Sequence, residues 1–148
     1  MKACRRKNPA KAAQRSLLLL CLLLSACLGA VANSPGLPQT SANFSESMRW
    51  SDFRTAAEYL QPQLRENFLQ QFREDADLHV VDSRMTRVEL DESEDRADAE
   101  YVMEYYRLPS SRVKKWSWQQ QWVLIPGKLA KPDIWLIDNP PPELPWQE

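Results

Sequence analysis

Apolar residues follow three successive patterns along the chain: an unbroken run, a helical repeat and an alternation. The run is Leu17-Leu18-Leu19-Leu20-Cys21-Leu22-Leu23-Leu24. Residues 28–43 show no period and are rich in small, polar and proline residues, which predicts a flexible tether. From Phe44 to about Asp75 the spacing is helical. Trp50, Phe53, Ala57 and Leu60 fall on one stripe, with Ser45 or Ser47 placed to cap the start. Pro62 interrupts this stripe and suits the first turn of a second helix capped near Gln61, after which Leu64, Phe68 and Phe72 recur four apart. The expectation is two helices in series or one kinked helix.

After Asp77 the period becomes two. Leu78 to Leu90 reads as a strand, with Val80, Val88 and Leu90 on one side and Val81 and Met85 on the other. Asp91 to Asp95 forms an acidic turn. Arg96 to Leu108 is a second strand with Ala97, Ala99, Tyr101, Met103 and Tyr105 on one face. Pro109 to Arg112 turns the chain, and Val113 to Ile125 is a third strand. Pro126-Gly127 ends it, and Asp133 to Ile137 is a short fourth strand carrying Trp135. Long strands joined by short turns predict an antiparallel meander. The fold class is therefore α+β, with an N-terminal helix or helix pair packed on a curved antiparallel meander of about four strands. The tail from Asp138 to Glu148 holds four prolines and reads as extended polyproline II, either docking a partner or folding back over a sheet edge.

Composition and charge refine this outline. A length of 148 residues suits one domain, and 43% hydrophobic residues suffice for a core. The net charge of −1 averages two unlike parts. Residues 1–26 hold Lys2, Arg5, Arg6, Lys7, Lys11 and Arg15 and no acid. The remainder has 13 basic and 20 acidic residues, a net charge of −7. Such a surface repels a phosphate backbone, so nucleic acid is not an expected partner.

A basic stretch, an apolar core of about eight residues and small residues make an export signal. A spanning helix would need about 20. The segment Leu24-Ser25-Ala26-Cys27 that follows resembles the lipobox of bacterial lipoproteins. The resemblance implies cleavage before Cys27, a diacylglyceryl group on its thiol and anchoring through two or three acyl chains. Leu28 in place of Asp then implies the outer membrane, on its periplasmic side. Cys4 and Cys21 would leave with the signal, and acylation would consume the one remaining thiol. The organisation expected is a signal peptide at 1–26, a lipidated cysteine and tether at 27–43, an α+β domain at 44–137 and a Pro-rich tail at 138–148.

Residues 46–137 also resemble the nuclear-transport-factor-like cone fold. The likeness lies in the Ala-Ala-Glu-Tyr-Leu helix before Pro62, the long second and third strands, and Trp-Val-Leu followed by the strand of Trp135. That resemblance implies helices held in the concave side of a curved sheet. Its enzymes place an Asp–His pair in the cone, whereas this chain has the single histidine His79.

His79 has Asp77 on its own strand face and Asp82 on the other, and catalysis would need one of them as partner. The stronger reading of a lone histidine at a strand start is a surface residue. Trp116, Trp118, Gln120 and Trp122 share a strand face. They are a candidate ligand pocket for a glycan, a lipid or a peptide, or the core under the helices. The acids from Asp91 to Asp98 lack the glycine and bidentate glutamate of a calcium loop and read as a solvated hairpin tip. Arg112, Lys114 and Lys115 form a small basic cluster suited to anionic headgroups or to blocking an edge. No phosphate loop, nucleophile triad or metal-binding spacing occurs, so neither cofactor nor metal is expected. The function expected is a lipid-anchored, non-enzymatic binding module that meets an envelope protein or glycan. The alternatives are a glycan- or lipid-binding cone pocket and an envelope enzyme using His79.

Overall fold

Leu37, Ser41, Phe44 and Met48 recur at helical spacing, and all four are buried on one side of helix α1, Leu37–Arg49. A computed structural model describes residues 36–72, 75–128 and 131–146. The signal segment, Cys27 and the tether up to residue 35 lie outside the described residues. The unit Ser34–Glu148 contains every described helix and strand and the core they share.

Helix α1 corrects two expectations. Residues 37–43, read as tether, are its first two turns. Gly36 is the N-cap and Pro38 stands in the first turn, where a missing N–H costs nothing, so Pro38 starts a helix instead of interrupting a linker. Ser45 and Ser47 lie inside the helix and do not cap it. The hydroxyl of Ser47 donates to the Asn43 carbonyl at 3.0 Å. The second correction is Trp50. It follows the helix as its C-cap, beside Ser51 in the left-handed region (φ 56°), and its side chain is 74% exposed instead of joining the stripe of Phe53, Ala57 and Leu60.

Asp52 starts α2, Phe53–Ala57, by accepting the Thr55 N–H at 3.1 Å. Hydrogen bonding from the Thr55 side chain, and then from its N–H, holds the Asp52 carboxyl below the usual range. Helix α3, Pro62–Gln71, has Gln61 at its N-cap and Pro62 in its first turn, as the spacing predicts. Phe68 and Phe72 turn inward, and Leu64 packs at the core margin.

The strands are β1 Leu78–Leu90, β2 Arg96–Arg107, β3 Lys114–Ile125 and β4 Ile134–Ile137. They form one curled antiparallel sheet in chain order. The fold is α+β, a half-barrel of four strands packed with three helices. Two irregularities in β1, at Val81 and Thr86, correct the expected phase. Each inserts one residue and exchanges the faces beyond it. Val80, Met85, Val88 and Leu90 therefore stand opposite Tyr105, Tyr101, Ala99 and Ala97, all on the inner face. Val81 is exposed.

The edges of the sheet differ. Beside β4, Gln61 N–H donates to the Ile137 carbonyl at 2.9 Å and Ile137 N–H to the Tyr59 carbonyl at 2.8 Å. The tail folds back along β3. Asp138 N–H donates to the Gln121 carbonyl at 2.7 Å, and the Asn139 side chain bonds both Gln121 N–H and the Gln119 carbonyl. Leu144 is buried, and the Trp146 ring lies 4.5 Å from Tyr105. Among the described residues no strand pairs with the outer edge of β1.

Candidate functional site

The inner face of β3 is core. Trp116, Trp118, Gln120 and Trp122 are all buried, and none of them lines the main groove of the domain. Phe44 lies edge-on to Trp118 and Trp122 at 6.1 and 6.2 Å, and Phe72 edge-on to Trp116 at 5.7 Å. Of the two readings of this face, the core under the helices is the one observed, and the ligand pocket is corrected to a packed interior. Helices α1 and α3 fill the space the rings face, and Ala97 and Ala99 opposite Trp122 and Gln120 leave room for large side chains. Gln120 Oε1 accepts the Trp122 indole N–H at 3.1 Å, while Gln120 Nε2 and the indole nitrogens of Trp116 and Trp118 are buried without hydrogen-bond partners among the described residues.

His79 is half-buried and stacks on Tyr106 with ring centres 4.8 Å apart. Neither Asp77 nor Asp82 hydrogen-bonds it. Asp77 is exposed, and the Asp82 carboxylate pairs with Arg84. The sequence spacing brings histidine and carboxylates near in the chain without bringing them together. The acids from Asp91 to Asp98 are exposed at the hairpin tip, where Ser93 donates to Asp91 at 2.9 Å. Of the basic cluster, Lys115 pairs with Glu104 at 3.2 Å on the outer face, while Arg112 and Lys114 are solvent-exposed.

A different surface, between helix α1 and strand β1, is concave. Helix α1 crosses the inner face over β1 but leaves the far end of that strand bare, so Val88 and Leu90 point inward and remain exposed. Between helix and strand runs a groove of about 600 Å³, lined by Pro38, Ala42, Ser45 and Arg49 on one wall and Ser83, Met85 and Val88 on the other. Such a volume suits a small ligand. Its depth comes from small side chains. Ser41, Ala42 and Ser45 stand where larger residues would close the gap. Trp50 flanks it and, with Val88 and Leu90, gives an exposed apolar surface that water solvates poorly.

The polar groups in this groove are of two kinds. Ser83 Oγ and the Tyr101 hydroxyl share a buried 2.6 Å hydrogen bond, and burial pushes the Tyr101 phenol well above its usual value. Ser45 is 7% exposed and its Oγ has no hydrogen-bond partner among the described residues. On the strand wall, Arg84 is engaged by Asp82 and by Glu104 at 3.1 Å. The bond from Arg84, and then that from Lys115, holds the Glu104 carboxyl below its usual range. Arg49 and Glu46 also line the groove and join no ion pair among the described residues.

The sequence reading missed this groove. Its two walls come from distant segments, and the exposure of Val88 and of Trp50, which the spacing places on the helical stripe, emerges only in the fold. Among the described residues no helix is long and apolar enough to cross a membrane, and no three His, Cys, Asp or Glu side chains are grouped to hold a metal. Comparison with protein-family models, with curated proteins and with solved structures gives no match, so the chemistry of the groove is the basis for its functional reading.

Proposed function

We propose that this chain is a lipid-anchored cell-envelope protein that binds an apolar ligand or partner group in the α1–β1 groove and does no covalent chemistry on it. The observation that carries the binding role is an open apolar groove flanked by a 74% exposed tryptophan. Exposing that surface costs solvation free energy that an occupant would recover, at about 25 cal/mol for each Å² covered. The anchor rests on the sequence alone, through the Leu24-Ser25-Ala26-Cys27 segment behind its apolar run. Acylated Cys27 would hold the domain on the periplasmic side of the outer membrane, with the residues between Cys27 and Gly36 as tether. The cone-fold resemblance is compatible with helices inside a curled sheet, but in this reading the ligand meets the α1–β1 groove and not the strand tryptophans. His79 has no role in it.

The test uses the Ser34–Glu148 unit, which contains the described core, and a neutral naphthylamine dye. Saturable dye emission with a shift in Trp50 fluorescence, both removed by Ala42→Phe, is expected. Dye emission that persists in Ala42→Phe, or none at all, would contradict the groove as a binding site.

A further inference from the structure

This inference rests on the groove being the binding site and concerns what it holds. Ser45 is more than nine-tenths buried in the groove wall with an unpartnered hydroxyl. One helical turn on, Arg49 lines the same groove with no ion pair among the described residues. Residues four apart on a helix have Cβ atoms about 6 Å apart. A carboxylate in the groove can therefore accept from the Arg49 guanidinium and, once the covered Ser45 hydroxyl turns outward about its χ1, from Ser45 as well, a charge-assisted arrangement. Pro38, Ala42, Met85 and Val88 give the groove its apolar lining, and Glu46 and Arg84 are its other charged members. From Pro38 to Arg49 the helix rises about 16 Å, and Ser83 to Val88 covers a similar length of strand. The groove therefore runs about 16 Å along the helix, with Arg49 near one end.

We propose that the groove takes a free long-chain fatty acid. Its carboxylate sits on Arg49 and Ser45, and its single hydrocarbon chain lies along Ala42, Met85 and Val88. Trp50 covers the head, where an aromatic ring with one polar edge tolerates both water and hydrocarbon. Glu46 is the opposing charge in the lining and limits affinity for an anion. Arg84, across the groove, is already held by Asp82 and Glu104 and adds little.

The experiment displaces the neutral dye from the Ser34–Glu148 unit with dodecanoate, and with dodecyltrimethylammonium of the same chain length. Dodecanoate is expected to bind one per protein and about tenfold or more tighter than the cation. Arg49→Gln should remove that preference and Arg49→Lys should restore most of it, while Glu46→Gln should tighten dodecanoate. Arg54→Gln, an exposed residue outside the groove, should change nothing. Equal binding of the two amphiphiles, or a preference that survives Arg49→Gln, would overturn the fatty-acid assignment while leaving the groove an apolar site. Failure of the dye itself to bind would instead remove the reading on which the assignment rests.

Discussion

Replacing Phe44 by alanine is expected to cost about 3–5 kcal/mol of folding stability. Phe44 is fully buried and lies within 5.3 to 6.3 Å of the rings of Tyr59, Tyr101, Trp118 and Trp122. Removing its ring loses about 1.5–3 kcal/mol of transfer free energy. The remainder comes from a void that four large, mutually packed aromatics cannot close, and from edge-to-face contacts of about 0.5–1.5 kcal/mol each that do not simply add. A domain of this size is stable by about 5–15 kcal/mol, so the loss is a large share of the total. Urea unfolding of the Ser34–Glu148 unit, followed by tryptophan emission and by far-ultraviolet circular dichroism, measures it. Trp50→Ala, which removes a larger but exposed ring, is the matched control and should stay within about 0.5 kcal/mol. A Phe44→Ala loss below about 1 kcal/mol would refute the reasoning, because α1 would then not be seated on the sheet and the groove would lack its helical wall.

Further outcomes are expected elsewhere in the domain. Ser83→Ala strands the buried Tyr101 hydroxyl and should cost about 1–3 kcal/mol by the same unfolding assay. Because the folded phenol ionises above its unfolded value, stability should be intact below about pH 10 and fall as the pH rises beyond it; Tyr101→Phe should flatten that fall. Gly127→Ala would set a Cβ 1.9 Å from the Lys131 carbonyl oxygen, so the loop before β4 must shift, and a melting temperature equal to that of the parent would contradict the geometry. The Glu104 carboxyl should titrate below an ordinary glutamate by carbon NMR and return toward it in Arg84→Ala.

Strand placement was legible in the sequence because Tyr, Trp and Val alternate with charged residues between turn-forming clusters. β1 matches the expected bounds, and the other strands differ by one residue at one end. The helix after Pro62 was legible for a similar reason, since proline and the four-residue recurrence agreed. Four things were not. Pro38 and its small polar neighbours look the same in a linker and in the first turns of a helix; burial of Leu37, Ser41 and Phe44 decides between them. The irregularities at Val81 and Thr86 leave no mark in a two-residue alternation, so the faces of β1 were divided wrongly. A face of tryptophans reads alike as pocket or core until the element opposite is known, and Phe44, Phe68 and Phe72 are that element. The groove arises where α1 stops covering β1, a relation between distant segments that local pattern does not carry.

The anchor at Cys27 is the claim on which the cellular role depends, and intact mass with membrane fractionation of the full chain beside Cys27→Ala tests it most directly. The account predicts a mature chain starting at Cys27 with added acyl mass in the outer-membrane fraction, and an unacylated Cys27→Ala chain that is absent from that fraction. An unmodified Cys27, or a Cys27→Ala chain that fractionates as the parent does, would contradict it.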